Sequence, residues 1–130
     1  MPAKNTNRFD LLFFVGLSAL LCHELDAIAN AEWRLLPGLS QLADETARDI
    51  FVLAHLPLVA ALMWLAGNVD ARTRRRAQLG IDAFLVVHVG LHLLFSGHEH
   101  YSFDSVLSNI YIFAAGAIGA IHAVILLRTR

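Results

Sequence analysis

The chain has 130 residues, of which 57% are hydrophobic and 16% are charged, a balance far from that of soluble domains. Its formal net charge is only −1, so the sequence lacks the overall positive field that attracts nucleic acid. These values favour a single integral membrane domain over residues 1–130 and give no support to a nucleic-acid partner.

Four apolar segments are long enough, or nearly so, to cross a bilayer as helices, which takes about 17–25 residues. They lie at about 10–31, 47–67, 78–96 and 105–127. Their apolar residues run continuously and do not alternate as in the strands of a membrane β-barrel. The sequence therefore predicts an all-α, four-helix transmembrane bundle with up-down-up-down topology.

The first segment places three polar residues, His23, Glu24 and Asp26, directly after a run of twelve apolar residues. A basic start and an apolar run are also typical of a cleaved secretory signal, but no A-x-A-like site follows, which favours a retained helix. A charged group at the centre of a membrane helix costs about 2.5–3.5 kcal/mol and normally faces the bundle interior. We therefore expect these side chains to contact other helices. Pro37 and Gly38 follow as a break, and Asp44 with Glu45 is typical of the N-cap and first turn of the second helix.

The second and third segments carry further histidines at a matching depth. The helical rise of about 1.5 Å per residue puts His23 ~15 Å, and His55 and His88 ~12 Å, below the outer ends of their helices. His88 and His92, in the stretch HVGLH, are four residues apart and share one helix face. Imidazoles from three helices are therefore expected to converge in the outer half of the bundle.

Such a cluster is typical of a transition-metal site, with His23, His55, His88 and His92 as ligands and Glu24 or Asp26 as a further ligand or general base. Nitrogen and oxygen ligands together suit zinc or iron better than calcium or magnesium. The alternative is an ordered polar network in which these side chains bind one another and no metal. A haem held by His55 and His88 is less favoured, because the clustered acids are poor neighbours for an apolar macrocycle.

The remaining polar residues form an inner group and a rim. His122 lies ~25 Å from the outer end of its helix, near the level of Asp82 and Asp10, and a structural His122–Asp82 hydrogen bond is favoured over a proton relay. Small residues in the fourth helix predict close packing against a neighbour; they are Ala115, Gly116, Gly119 and Ala120. The rim consists of two stretches: Glu32, Trp33 and Arg34, and His98, Glu99, His100 and Tyr101. Both are expected to be solvated. The alternative for the second stretch is that it forms a lid or supplies a further metal ligand.

The distribution of basic residues predicts the orientation. Eight of the ten Lys and Arg residues fall on one side of a four-pass topology, which the positive-inside rule assigns to the cytoplasm together with both termini. These eight are Lys4, Arg8, Arg72, Arg74, Arg75, Arg76, Arg128 and Arg130. The histidine cluster would then open toward the side of the membrane opposite the cytoplasm.

The stretches HELDAIANAEWRLLP, FVLAHLPL, DAFLVVHVGLHLLF and YSFDSVLSN resemble a family of small, uncharacterised bacterial inner-membrane proteins, a domain of unknown function, over almost the whole chain. The resemblance implies a membrane protein and recurrent use, without roles, of His23, Glu24, Asp26, Glu32, Trp33, Arg34, His55, His88 and His92. The histidines are also loosely similar to those of membrane di-iron hydroxylases and desaturases, and of seven-helix zinc hydrolases of the ceramidase type. This chain lacks the full box set of the first and the helix count of the second, so neither activity carries over.

The leading hypothesis from the sequence is a metal-dependent membrane enzyme, hydrolytic or oxidative, acting on a lipid-like or otherwise apolar substrate. Two alternatives belong to other classes. A proton or cation transporter would link the outer acids to Asp82 and His122. A structural or partner-binding subunit would use the polar residues only to hold helices together.

Overall fold

The computed structural model describes residues 6–129, which form four long helices and, within that range, no strand. The helices are α1 (Thr6–Ala29), α2 (Asp44–Ala66), α3 (Ala71–Phe95) and α4 (Val106–Arg128), and two short 3-10 turns, Glu32–Arg34 and Leu39–Gln41, lie between α1 and α2. Each helix is long and apolar enough to cross a membrane. The predicted all-α four-helix bundle is therefore confirmed.

Helix α3 begins earlier than the sequence predicted. The Asp70 carboxylate accepts a hydrogen bond of 2.7 Å from the Thr73 amide, so Asp70 caps the helix and Ala71 is its first residue. Hydrogen bonding to the Thr73 side chain, and then to the Thr73 amide, lowers the pKa of Asp70. Arg72, Arg74, Arg75 and Arg76 consequently lie in the first turns of α3. The predicted bounds 47–67 and 78–96 left these arginines in the second connection, which was wrong. The connection itself is only residues 67–70.

The start of α2 also differs from the prediction. Ala43 occupies the N-cap position without a side-chain cap, and Asp44 is already helical. The Asp44 carboxylate is engaged elsewhere, by the Arg34 guanidinium and the Trp33 indole. The prediction that Asp44 caps the helix was wrong because its oxygens bind these two donors from the preceding turn.

Helix α4 packs closely against both α1 and α3, whereas α2 packs mainly on α3 and on the two 3-10 turns. The close approach of α3 and α4 depends on small residues. A Cβ atom added at Gly119 would lie 3.0 Å from the Leu85 Cβ and 3.1 Å from the Asp82 carbonyl oxygen. The predicted packing through small residues is found at Ala115, Gly116 and Gly119, which are buried, but not at Ala120, which is exposed.

Two apolar clusters form the interior of the bundle. One contains Phe13, Leu17, Leu20, Ala66, Ile81, Leu85 and Ala115. The other lies near the α1–α2 and α3–α4 connections and contains Ala27, Trp33, Leu35, Ala47, Phe51, Phe103 and Ile112. Many large apolar side chains point outward instead; Leu56 and Trp64, for example, are 72% and 69% exposed. An apolar exterior around a bundle is the arrangement expected of a protein whose surroundings are lipid.

The inner polar group forms the predicted hydrogen bond. The Nδ1 atom of His122 lies 2.7 Å from Oδ2 of Asp82, and both side chains are 1% exposed. Phe13 packs against the His122 ring, at 5.4 Å between ring centroids. The pair thus connects α3 to α4 inside the apolar core. Because both side chains are buried, removing one partner leaves the other without a hydrogen bond.

We expect Asp82→Leu to lower the free energy of unfolding by about 1–3 kcal/mol, because it leaves the buried His122 nitrogen without its partner. The double variant Asp82→Leu with His122→Leu should recover part of that loss, because no unpaired polar group remains. Thermal unfolding in detergent micelles measures both effects. Additive losses in the double variant would contradict a direct interaction.

Candidate metal centre

Three imidazoles from α1 and α3 converge on one point. The Nε2 atom of His92 lies 3.2 Å from Nε2 of His23 and 3.1 Å from Nε2 of His88. All three side chains are buried, between 1% and 8% exposed. The four-residue spacing of His88 and His92 puts both rings on the face of α3 that α1 covers, and Phe103 closes the cluster against the His23 and His92 rings.

The fourth member of the cluster is Glu32, which comes from the first 3-10 turn. Helix α1 ends at Ala29, and Ala31 adopts a left-handed backbone with φ of 52° that turns the chain back toward the bundle. This conformation costs a residue with a Cβ roughly 1–2 kcal/mol. As a result the Glu32 Oε2 atom lies 3.6 Å from Nε2 of His23. Burial raises the pKa of Glu32, but the neighbouring His23, His88 and His92 rings together lower it by more, so its pKa falls below the ordinary value.

The spacing of the four side chains fits one metal ion. His23, Glu32, His88 and His92 each offer a ligand atom, and these atoms all lie within 4.8 Å of one another. For a tetrahedral zinc ion with Zn–N bonds of about 2.0–2.1 Å, the ligand nitrogens are about 3.3 Å apart. The 3.1 and 3.2 Å contacts are therefore close to the edges of such a tetrahedron.

The protons of the three imidazoles cannot satisfy all of these contacts. A ring Nε2 carries either one proton or one lone pair in the ring plane, so it makes only one good hydrogen bond. His92 Nε2 nevertheless contacts two other Nε2 atoms at hydrogen-bond distance. Within residues 6–129, moreover, Glu32 Oε2, Asp26 Oδ2 and His23 Nδ1 are buried without a hydrogen-bond partner. A cation between the rings would engage three lone pairs and the Glu32 oxygen together.

Tyr101 supports the ring of His92 from behind. Its hydroxyl lies 3.2 Å from Nδ1 of His92, the nitrogen that points away from the cluster. In metal sites the second nitrogen of a ligating histidine almost always carries a proton and donates it to such a partner, which fixes the ring and directs the first nitrogen toward the metal. Burial raises the pKa of Tyr101. With His92 Nε2 directed at a metal, the Tyr101 hydroxyl would accept the proton of His92 Nδ1.

Glu24 and His55 form a second polar pair beside the cluster. His55 Nδ1 lies 2.7 Å from the Phe51 carbonyl oxygen, so it must carry a proton and donate it. His55 Nε2 lies 2.8 Å from Glu24 Oε2. Nε2 therefore either donates to a carboxylate or accepts from a protonated carboxyl group. In both cases one mobile proton is shared between α1 and α2.

A polar clamp holds the turn that carries Glu32. The Arg34 guanidinium donates to both carboxylate oxygens of Asp44, at 2.7 and 3.0 Å, and the Trp33 Nε1–H donates to Oδ1 at 3.0 Å. The hydrogen bond to Asp44 raises the pKa of Arg34, which stays charged. The Trp33 ring is itself buried and packs against Phe51. The clamp thus fixes Trp33 and Arg34 relative to α2. Glu32 is the residue directly before Trp33, so its position is fixed as well.

Two neighbouring cavities adjoin the centre. The first, about 340 Å³, is lined by Glu24, Glu32, His55, His88 and His92 together with apolar residues of α2, α3 and the 3-10 turns. The second, about 410 Å³, continues between α1, α2 and α3, and its only polar lining side chains among the described residues are Glu24 and His55. The cluster and the Glu24–His55 pair therefore face one shared space.

The structure brings together three of the six sequence-predicted metal ligands, His23, His88 and His92. His55 and Glu24 bind each other instead, and Asp26 is half-buried on α1, three residues beyond His23. His98 and His100 are exposed, as the solvated reading expected. Sequence reasoning missed Glu32 and Tyr101, which it assigned to the rim. Glu32 and its neighbours Trp33 and Arg34 were marked only by the family resemblance.

The comparisons with known proteins place the chain in a family without an assigned role. The model of a family of unknown function (DUF6713) matches residues 9–129, so the chain belongs to that family. No curated protein and no solved structure matches the chain. The predicted resemblance to a domain of unknown function is confirmed.

If the clamp positions Glu32, Asp44→Asn will loosen the turn, because a neutral amide cannot accept a charge-assisted bidentate bond from Arg34. We expect faster hydrogen exchange across residues 30–43 and a red shift of Trp33 fluorescence, measured in a Trp64→Phe background. Asp49→Asn is the matched control, because Asp49 pairs with the exposed Arg48 on the same helix. Equal changes in both variants would show that the clamp has no specific role.

Proposed function

We propose that this member of DUF6713 is a metal-dependent membrane hydrolase in which His23, His88, His92 and Glu32 hold one divalent transition-metal ion, zinc in the first instance. The observation that carries the proposal is the convergence of three Nε2 atoms beside the unpartnered Glu32 oxygen. Three imidazoles and a carboxylate are a donor set that suits zinc or iron.

This proposal revises the ligand set that the sequence suggested. Glu24 and His55 become a proton-transfer pair, because their side chains are bound to each other and line the same cavity as Glu32, His88 and His92. Asp26 acts beside His23, where its negative charge favours a cation within the cluster. The proposal thus assigns three of the six predicted residues to metal binding, two to proton transfer, and Asp26 to an electrostatic role.

The reaction that fits this arrangement is hydrolysis of an ester or amide. A zinc ion held by these four side chains would have to accept a water as a fifth ligand, and it would lower the pKa of that water to about 7, so that the water could act as the nucleophile. The water oxygen bonds to the acyl carbon and the bond from that carbon to oxygen or nitrogen breaks. Glu24 with His55 accepts the proton that the water loses and returns it to the leaving alcohol or amine, so the products are an acid and an alcohol or amine.

Oxidative and haem chemistry have less support. An oxidative centre of the kind suggested by the histidine boxes uses two irons, whereas residues 6–129 contain a single group of four candidate ligands. A haem would need a free Nε2 on His55 and on His88. The Nε2 atom of His55 contacts Glu24 instead.

A transporter also has less support than an enzyme. The outer cluster and the inner Asp82–His122 pair would need a polar path between them. On α3 the buried Leu85 separates Asp82 from His88, and on α1 Phe13, Leu17 and Leu20 are buried before His23. These apolar residues belong to one core cluster.

We further propose a bacterial inner-membrane location with both termini in the cytoplasm. The support is the placement of the arginines in the first turns of α3, at the end of the bundle opposite to the cluster. The metal centre then faces the periplasmic half of the bilayer.

The metal content of the purified protein tests the proposal. Wild-type protein is expected to contain about one equivalent of zinc per chain by elemental analysis. His88→Ala with His92→Ala, and separately Glu32→Gln, should lose most of it, because each removes ligand atoms. His55→Ala and His98→Ala are the matched controls and should retain the metal.

Circular dichroism of each variant separates lost ligands from lost folding. Wild-type protein without stoichiometric metal would overturn the proposal and favour a purely structural subunit. Metal lost in His55→Ala but kept in Glu32→Gln would instead support the ligand set predicted from sequence.

A further inference from the structure

We propose that the two cavities form one slot for a single acyl chain of a membrane lipid, with the chain's carbonyl at the metal centre and its methyl end toward Leu65 and Ala77. The inference deepens the proposed function, on which it rests in taking that carbonyl as the reacting group. Binding of the chain itself does not require the metal.

The two cavities lie side by side. Both are lined by Glu24, His55, Leu58 and Phe84. On α3 the lining residues follow helical spacing from Phe95 through His88 and Phe84 to Ala77, so they form one stripe. That stripe spans ~27 Å along the helix axis. The slot therefore extends from the connection end of the bundle along the groove between α1, α2 and α3, where the lining residues Leu58 and Phe84 are 50% and 45% exposed.

The polarity of the slot matches an acyl lipid. The polar side chains lie at one end, around the metal centre, and the second cavity beyond Glu24 and His55 is lined by apolar residues. A polar headgroup or a charged solute would lose its hydration there without gaining partners. A hydrocarbon chain has no polar group whose hydration would be lost when it enters this cavity.

The size of the slot argues against a protein segment as the occupant. From His55 to Leu65 the slot follows α2 for ~15 Å. The second cavity holds about 410 Å³, and cavities of this volume hold small molecules. A single acyl chain is therefore the occupant to test.

The packing of α2 provides an entry from the bilayer. Within the described residues α2 contacts α3 and the 3-10 turns, but it hardly touches α1. A chain can therefore slide sideways between α1 and α2 without crossing water. Glu24 and His55 bridge this opening with a hydrogen bond of 2.8 Å, so an entering carbonyl passes the proton-transfer pair before it reaches the metal centre.

Gly80 offers a way to block the slot without disturbing the bundle. It lines the second cavity, and among residues 6–129 no heavy atom lies within 4 Å of the position that a Cβ would take. Gly90, on the same helix, has equally open space but lies outside both cavity linings. Gly80→Phe and Gly90→Phe are therefore matched variants that differ in whether the new ring enters the slot.

The test uses the full chain in phosphatidylcholine vesicles and a palmitate analogue that carries a diazirine near its methyl end. After irradiation, mass spectrometry should locate the label on Leu62, Leu65 and Ala77 above the level on outward residues of α4. Gly80→Phe should reduce slot labelling about tenfold or more, because several methylenes lose their burial. Gly90→Phe should leave it unchanged.

Two results would overturn the inference: labelling spread evenly over the lipid-facing surface, or slot labelling that Gly80→Phe leaves intact. Repeating the experiment on chelator-treated protein separates this inference from the proposed function. Slot labelling in a protein that never holds metal would leave the acyl slot standing and remove the hydrolase. Stoichiometric metal without slot labelling would reject the acyl slot and leave the proposed metal centre standing.

Discussion

The structure depends on the cost of leaving polar groups unpaired in an apolar bundle. Each buried imidazole and carboxylate must find partners on other helices, because hydrocarbon offers none. Asp82 and His122 meet this requirement as a pair, and Glu24 and His55 do so as a second pair. His23, His88 and His92 meet it only in part, because three rings crowd their Nε2 atoms together. That incomplete solution is what distinguishes a candidate metal centre from a structural network.

The helical rise was sufficient to predict which histidines share a level, but depth says nothing about direction around the bundle axis. His55 matched His23 and His88 in depth, yet α2 packs away from α1 and its imidazole reaches Glu24 instead. Successive helical residues differ by about 100°, so Glu24 points well away from His23 toward α2. Packing between helices, which the sequence does not encode locally, decided the partner.

The position of Glu32 shows a second limit of prediction from the sequence. In an uninterrupted helix, nine residues at about 100° each would place it opposite His23 and some 13 Å further along the axis. The left-handed backbone at Ala31 ends that regularity and returns the carboxylate to the cluster. Alanine carries no sequence signal for this conformation, unlike glycine. The extra turns of α3 were missed for a related reason, since its arginines resemble a connection until Asp70 is recognised as a cap.

The central claim is that one ion is bound by three imidazoles and one carboxylate. X-ray absorption at the zinc edge of the zinc-loaded protein tests it most directly. We expect a shell of nitrogen and oxygen ligands at about 2.0–2.1 Å with the multiple-scattering signature of three imidazoles. Glu32→Gln should alter that shell, whereas His55→Ala should preserve it. A spectrum with one imidazole or none, or one with only oxygen ligands, would contradict the account.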